Sequence, residues 1–320
     1  MAQHFLLSSK ARTLSLAAVL RLSDDEAYAA FKAIRFSENG GEPFCPTCGS
    51  VSLYNLPRRK MWRCKGCGCQ FSLTSGTIFS SRKLSIRDYL AAIAIFTNGA
   101  KGYSALQLSR DLDVQYKTAF VLAHKLREAI KDQDAATKVS GEVEIDGMHA
   151  GGYVKPANYK THRRDLRLAA NQTGKRMVVI AARERNGKTI TFVRKSEDAG
   201  VPTLEDRIEP GSTVYADEAS HWDVLHSRFN TRRINHSECY SDGNGCTNQV
   251  ESFFSRLRRA EIGTHHHIAG PYLASYAAEM DWREDNRRVS NGRQYLEIVT
   301  AAAKHPVSRQ WKGYWQRRAA

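Results

Sequence analysis

The chain has 320 residues, with 48 Lys and Arg against 33 Asp and Glu and a formal net charge of +15. At about 100–200 residues per domain this length allows two or three domains, the largest with a real core, and the cationic excess points to a polyanionic partner, because each cation set on a phosphate releases condensed counterions. No apolar run approaches the ~20 residues of a membrane span, so a membrane role is not expected. The apolar stretch Leu14 to Leu20 is short and is followed by Arg21, Asp24, Asp25 and Glu26. It suits an amphipathic helix better than a secretory leader. A cytoplasmic location follows, and there the seven cysteines are expected as thiols or metal ligands and not as disulfides.

Residues 1–42 read as an N-terminal helical segment of one or two helices. Ser23 or Asp24 can cap a helix that turns Ala27, Phe31 and Ile34 inward, with Gly40-Gly41 ending it. Residues 43–80 are punctuated by Cys and Gly and rich in Phe, Trp and Thr, as small β-ribbons are. Cys45-Pro-Thr-Cys48 and Cys64-Lys-Gly-Cys67 form two knuckles separated by fifteen residues. A tight turn lets two thiolates so spaced reach one ion, and zinc takes four in a tetrahedron. Gly49 and Gly66 supply the permissive backbone. One structural Zn²⁺ on Cys45, Cys48, Cys64 and Cys67 is therefore expected, replacing a core that a segment of about forty residues cannot build alone. Cys69 is a spare that could exchange with Cys67, while Cys239 and Cys246 read as partly buried free thiols. Arg58, Arg59, Lys60, Arg63 and Lys65 surround the module with Trp62 among them, which suits DNA backbone contact or, alternatively, a folding or dimerisation element.

Residues 81–132 are helical in period. Ser104-Ala-Leu-Gln107 fits a capping box, after which Leu106, Leu108 and Leu112 can face a core. A short turn at Asp113-Val114 leads to a helix over 116–131 with Ala119, Leu122, Ala123, Leu126 and Ile130 at helical spacing. The pair reads either as a helix-turn-helix, with Gln115, Lys117 and Thr118 at base edges, or as a plain helical hairpin. Residues 132–140 are polar and linker-like.

From 141 the pattern changes to strands: Glu142 to Asp146 alternates, Met177 to Ala182 is a buried run, Thr189 to Val193 alternates after the turn at Asn186-Gly187, Val214 to Ala216 leads into Asp217, and Thr231 to Ile234 is a further short strand. Helical patterns return at 248–259 and 270–288. The region 141–290 is thus an α/β domain, and 291–320 reads as a basic C-terminal tail, of which 305–320 is basic and aromatic.

Phosphodiester cleavage with two metal ions needs carboxylates from separate elements converging on one spot, and Mg²⁺ or Mn²⁺ accepts such oxygen ligands while keeping several waters. Asp146 and Asp217 each end a strand, and Glu251 lies on a helix whose Val250, Phe253, Phe254 and Leu257 form a docking stripe. Asn248, Glu251, Ser255 and Arg258 share one flank of that stripe. Asn248 can offer an amide oxygen to a metal or a hydrogen bond to Glu251, and Arg258 is placed to hold phosphate near the metals. Arg256 reads as part of a solvated face. Glu144 and Glu218, neighbours of the two aspartates, read as solvated or salt-bridged.

Taken together, these residues resemble the ISXO-type group of bacterial insertion-sequence transposases over about residues 24–290. The resemblance is carried by Cys45-Pro-Thr-Cys48-Gly49, Trp62-Arg-Cys64-Lys-Gly-Cys67, Glu144-Ile-Asp146-Gly147, Ala216-Asp217-Glu218, Asn235-His236-Ser237, Thr247-Asn248-Gln-Val-Glu251-Ser252-Phe253, Gly263-Thr264-His265, and Trp282-Arg283 with Asn286-Arg287. It implies a zinc ribbon, a DNA-binding helical segment and a DDE catalytic domain with a ribonuclease-H-like mixed sheet flanked by helices. It further implies that Asp146, Asp217 and Glu251 hold two catalytic Mg²⁺ or Mn²⁺ ions, with Asn248 the alternative third ligand because some relatives carry Asn where others carry Glu. Arg258 or Arg259 stands where the family often has Lys, and the run His265-His266-His267 either meets DNA or is simply exposed. The implied activity is cleavage and strand transfer at the element's terminal inverted repeats in double-stranded DNA, joined to target DNA. It would be carried out by a homodimer or larger assembly in the bacterial cytoplasm, at the nucleoid. A DNA-binding regulator derived from a transposase, using only ribbon and helices, is the competing reading, and a nuclease that cuts without joining is a third.

Overall fold

The computed structural model describes residues 4–152, 156–165, 168–171, 173–234 and 246–318. The chain divides into two compact units, one of residues 134–287 and one that joins residues 1–133 to 288–320. Among the described residues no helix is long and apolar enough to cross a membrane.

The first unit opens with α1 (Leu16–Arg21) and α2 (Asp24–Arg35). Ser23 caps α2: its hydroxyl accepts the Glu26 amide while the Glu26 carboxylate accepts the Ser23 amide, and three acids fill the first turn. Both suit the positive end of a helix dipole. Ala27 and Phe31 are buried, whereas Ile34 is only partly so. The helix stops at Arg35, earlier than Gly40-Gly41, and a separate 3-10 turn follows that Gly40 ends at φ 61°. Arg35 is itself buried, donating to the carbonyls of Ser72, Leu73 and Ser75.

Next, β1 (Leu53–Leu56), β2 (Met61–Cys64) and β3 (Gln70–Ser72) form an antiparallel three-stranded sheet. Strand alternation turns Arg63 outward and Trp62 inward, where Trp62 packs between Phe36 and Phe71. Trp62 is therefore a core residue and not a partner of the surrounding cations. Helix α3 (Ile86–Asn98) carries its own capping box from Ser85 and Asp88 and is buried on nearly all sides.

In the hairpin of α4 (Ala105–Asp111) and α5 (Tyr116–Gln133), Ser104 accepts the Gln107 amide, the one half of the expected capping box that is formed. Leu108 is buried and Leu106 exposed, because residues two apart lie about 200° apart on a helix and cannot share a face. Asp113, at φ 50°, makes the turn. Ala119, Leu122, Ala123, Leu126 and Ile130 are all buried, as their spacing requires, and Gln115 and Lys117 are exposed.

The expected linker is partly structural. Val139 is fully buried, its amide donating to Arg207 and its carbonyl accepting from Glu209. The second unit then builds β4 (Glu142–Ala150), β5 (Met177–Glu184), β6 (Thr189–Arg194), α6 (Val201–Arg207), β7 (Thr213–Asp217), β8 (Asn230–Ile234), α7 (Asn248–Ala260) and α8 (Leu273–Asp285). The sheet order is β6-β5-β4-β7-β8, antiparallel as far as β4 and parallel from β4 onward. Alternation sorts the sheet residues into two cores. Val143, Ile145, Val178, Ile180 and Val214 meet Val201 and Leu204 of α6 with Trp222 and Leu225 on one face. Met148, Ala150, Val179 and Ala181 meet Val250, Phe253, Phe254 and Leu257 of α7 and Leu273, Tyr276 and Met280 of α8 on the other. Asn235-His236-Ser237 and Cys239 lie outside the described residues.

The segment 291–320, read as a tail, folds back into the first unit. It forms α9 (Asn291–Lys304), whose Ile298, Val299 and Ala302 are fully buried, and α10 (Tyr314–Arg318), with Trp311 and Tyr314 buried nearby. Phe120 of α5 packs edge-on or tilted against Trp311, Tyr314 and Trp315. The tail's aromatics are thus anchors, and its charges decorate a packed element.

Candidate active site

Register alone brings the two aspartates together. Parallel pairing sets Glu142 opposite Thr213, Val143 opposite Val214 and Glu144 opposite Tyr215, where the ladder ends; the same count carried two residues on brings Asp146 level with Asp217 on the neighbouring strand. Both alternate with residues of the α6-side core (Ile145, Ala216), so both carboxylates face the α7 side. The Gly147 amide donates to Asp146 Oδ1 at 2.7 Å, and the Ala219 amide to Asp217 Oδ1 at 3.2 Å.

Glu251 is delivered by α7. Val250, Phe253, Phe254 and Leu257 are buried against the sheet, leaving Glu251 on the flank, where the Thr247 hydroxyl donates to its Oε1 at 3.0 Å. Asn248 and Arg258 are exposed; seven residues on from Glu251, Arg258 returns to nearly the same direction two turns away. Arg259 is tied back along the helix to Ser255. Arg256 departs from the solvated role read for it: it is half-buried and ion-paired with buried Glu284. Of the histidine run, His265 packs edge-on against Tyr276, while His266 and His267 are exposed.

Electrostatics join these groups. Burial pushes the Asp146 carboxyl up to about 7; the Gly147 amide opposes this, and the charges of Asp217, Glu197 and Glu251 add to it. A carboxyl held near neutrality is one that a nearby divalent cation would return to its charged form; the carboxylate oxygens of Asp146, Asp217 and Glu251 do not all lie within 4.8 Å of one another, and Glu251 is exposed.

Glu197 is the residue that sequence reasoning missed. It follows β6 and lies over Gly147, where a β-carbon would fall 2.2 Å from Glu197 Oε1. Three residues on, Gly200 lies as close over Ile180, the strand partner of Gly147. The two glycines let the segment 197–200 lie flat on the α6 face of the sheet. Glu197 Oε2 lies 3.1 Å from His221 Nε2, and Oε1 lies 3.9 Å from His149 Nε2. Burial, then the Asp217 charge, raises its carboxyl, and burial lowers both histidines. The signals were present in Gly147 after Asp146 and in Gly200 after an acidic pair, but neither names its partner.

Glu144 is fully buried and ion-paired with Arg185, while Glu218 is exposed. In the ribbon, the four sulfurs of Cys45, Cys48, Cys64 and Cys67 lie within 4.8 Å of one another, with Cys48–Cys64 at 3.5 Å and Cys45–Cys67 at 3.6 Å. That spacing fits a tetrahedron of Zn–S bonds of about 2.3 Å. The amide of Cys67, helped by that of Gly66, brings the Cys64 thiol down to about 6. Cys69 stays outside the cluster, accepting from the Thr47 hydroxyl.

Comparison with known proteins converges on the same two regions. The family described as ISXO2-like transposase domain matches residues 138–285, and that described as transposase zinc-ribbon domain matches residues 22–70. A protein of Halobacterium salinarum, described as an uncharacterized protein in transposable element ISH50, is 23% identical over 274 residues, covering 81% of this chain and 91% of the relative. An uncharacterized transposase-like protein of Haemophilus influenzae is 27% identical over 92 residues, 28% of this chain and 74% of the relative. No solved structure matches. With a four-cysteine ribbon preceding a mixed-sheet domain, and both matched in order by transposase families, the chain belongs to the ISXO-like group of insertion-sequence transposases.

Proposed function

We propose that this transposase binds the ends of its insertion sequence and catalyses metal-dependent DNA strand cleavage and strand transfer. Asp146, Asp217 and Glu251 would hold two Mg²⁺ or Mn²⁺ ions. The observation that supports this reading is the β4–β7 register, which, continued past Glu144 and Tyr215, brings Asp146 level with Asp217 on the face against which α7, the helix of Glu251, packs. Bound there, the ions would supply positive charge to the attacking and leaving oxygens of an in-line displacement at phosphorus.

The chain's own residues do the positioning. The Gly147 and Ala219 amides each hold one oxygen of an aspartate, and the second oxygen would be the one offered to a metal. The Thr247 hydroxyl fixes Glu251. Arg258, exposed on the same flank, would bind the phosphodiester backbone. Asn248, one turn before Glu251, is the alternative oxygen donor. One Zn²⁺ on Cys45, Cys48, Cys64 and Cys67 would hold the ribbon's two knuckles together. Exposed Arg58, Arg59, Arg63 and Lys65, with Gln115 and Lys117 at the start of α5, would contact the terminal inverted repeats. A ribonuclease-H-like catalytic domain and a homodimeric or larger assembly on DNA, working in the cytoplasm, complete the reading.

The test uses purified protein, labelled DNA from the borders of the element, Mg²⁺ and a plasmid target. The transposase reading requires joined products that Asp146→Asn and Asp217→Asn abolish while DNA affinity is nearly kept. Cut ends without joining would indicate a nuclease, and binding alone a regulator. Retained cleavage by either mutant would overturn the metal assignment.

A further inference from the structure

The carboxylate of Glu144 is the most deeply buried charge beside the candidate active site, with no exposed side-chain surface. Its Oε2 accepts the backbone amides of Gln249 at 2.8 Å and Val250 at 3.2 Å, the second and third residues of α7. Its Oε1 accepts Arg185 Nε at 3.0 Å. The first amides of a helix have no partner within it, and Thr247, in the N-cap position, turns its hydroxyl to Glu251 instead of to the helix amides. Glu144 thus fills from another strand the place that a local cap would take, and its negative charge sits at the positive end of the helix dipole.

The network is anchored on several sides. Arg185 Nη2 donates to the Cys246 carbonyl at 3.1 Å, just before α7, and the guanidinium lies 4.0 Å from the centroid of the Tyr215 ring on β7. Arg185 also reaches Glu142. One buried ion pair therefore ties β4, the end of β5, β7 and the entry to α7. Such a pair is poor evidence of net stability, since desolvation offsets much of its attraction, but it specifies one arrangement.

We propose that Glu144 is a positioning residue: it fixes the first turn of α7 against β4, and so sets the distance between Glu251 and Asp146. This rests on the reading of those residues as metal ligands. The carboxylate fits that role because it stands two residues before Asp146 on β4 and faces the same side, while the amide it holds belongs to Gln249, two residues before Glu251. Residues that orient metal ligands without touching the ion commonly carry about 10–100-fold in metal affinity or activity.

The experiment titrates the full-length protein with Mn²⁺ and follows the free-ion signal by electron paramagnetic resonance, without DNA. Glu144→Gln should raise the Mn²⁺ dissociation constant by on the order of tenfold. Glu142→Gln removes another carboxylate from Arg185 without touching α7 and should leave Mn²⁺ binding as in the wild type. Should Glu144→Gln fail to fold, Arg185→Lys decides: it keeps the buried carboxylate but drops the bond to the Cys246 carbonyl, and a several-fold weaker Mn²⁺ affinity is expected. Asp146→Asn is run beside them. If it loses Mn²⁺ while folded Glu144→Gln, or Arg185→Lys in its place, binds as the wild type does, the positioning role is overturned and the metal assignment stands. If Asp146→Asn itself binds Mn²⁺ as the wild type does, the metal assignment falls and the positioning role with it.

Discussion

Glu197 sets its carboxylate against the α-carbon of Gly147, so near that a β-carbon there would lie 2.2 Å from Oε1 and 2.7 Å from Cδ. The end of a flexible side chain can swing away from such a clash, and here it would have to leave its place 3.1 Å from His221 Nε2. Gly147 also follows Asp146 directly and supplies the amide that holds its Oδ1. A side chain at 147 would therefore disturb Glu197 and Asp146, the proposed metal ligand, together.

Gly147→Ala should consequently lower strand-transfer activity by about 10–100-fold, the range seen when residues supporting a metal site are displaced. Glu197→Gln should fall in the same range if Glu197 belongs to the site. Wild-type rates in both variants, measured on labelled DNA ends, would return Glu197 to a structural role.

The metal-free protein should become more stable when Asp146 loses its charge. The Asp146 carboxyl is raised from 3.8 to about 7, first by burial, so the folded state binds a proton more tightly than the unfolded one. The stabilisation from that proton is complete below about pH 4 and is lost as pH rises through about 7. Asn carries no such dependence. Asp146→Asn should then match the wild type near pH 4 and gain on it up to about pH 7, by at most about 4 kcal/mol. Thermal melts in chelator across that range check it, and Mg²⁺ should raise the melting temperature of the wild type and not of the mutant. Parallel melts for the two proteins at every pH would reject the raised carboxyl.

Much of this centre was legible in the sequence because its carriers are periodic. The stripe of α7 fixes which flank Glu251 occupies, and strict alternation in β4 places Asp146 on a definite face. Strand order was not legible, since nothing local to Glu142–Asp146 or Val214–Asp217 says that they pair in parallel. Glu197 escaped for a related reason: its place depends on Gly147 and Gly200, which only tertiary contact brings to one surface. Glu144 read as solvated or salt-bridged, and the salt bridge to Arg185 is present; its full burial and its hold on the α7 amides were not legible because those partners are distant in the chain. Helix α9 was missed because the whole of 291–320 was read from its basic and aromatic end, 305–320, although Ile298, Val299 and Ala302 of Asn291–Lys304 lie at helical spacing.

Zinc content discriminates the ribbon's ligands. Cys64 belongs to the four-sulfur cluster and Cys69 does not. Cys64→Ser should lose about one zinc per chain, because structural sites need all four ligands, and its folding should fail or weaken with the metal. Cys69→Ser should keep its zinc. A chromogenic chelator assay on both purified variants reads the result, and zinc loss from Cys69→Ser would show that the ligand set is misassigned.

Arg258, proposed above to bind phosphate, can be tested apart from folding. Its side chain is exposed on the flank of α7 that carries Glu251, and exposed substitutions away from special features usually change stability by within about 0.5 kcal/mol. Arg256 lies two residues earlier, but its ion pair with buried Glu284 makes it a structural arginine. Arg258→Ala should therefore leave the melting temperature nearly unchanged. It should weaken DNA binding for all sequences alike and flatten the plot of log affinity against log salt by about one phosphate contact. Arg256→Ala should do the reverse, destabilising the domain by removing one of the three arginines, with Arg183 and Arg287, that pair with the buried Glu284 carboxylate. Affinities measured at several salt concentrations beside melting curves decide between the two roles. A lowered melting temperature with an unchanged salt slope in Arg258→Ala would place that residue with Arg256 among the structural arginines.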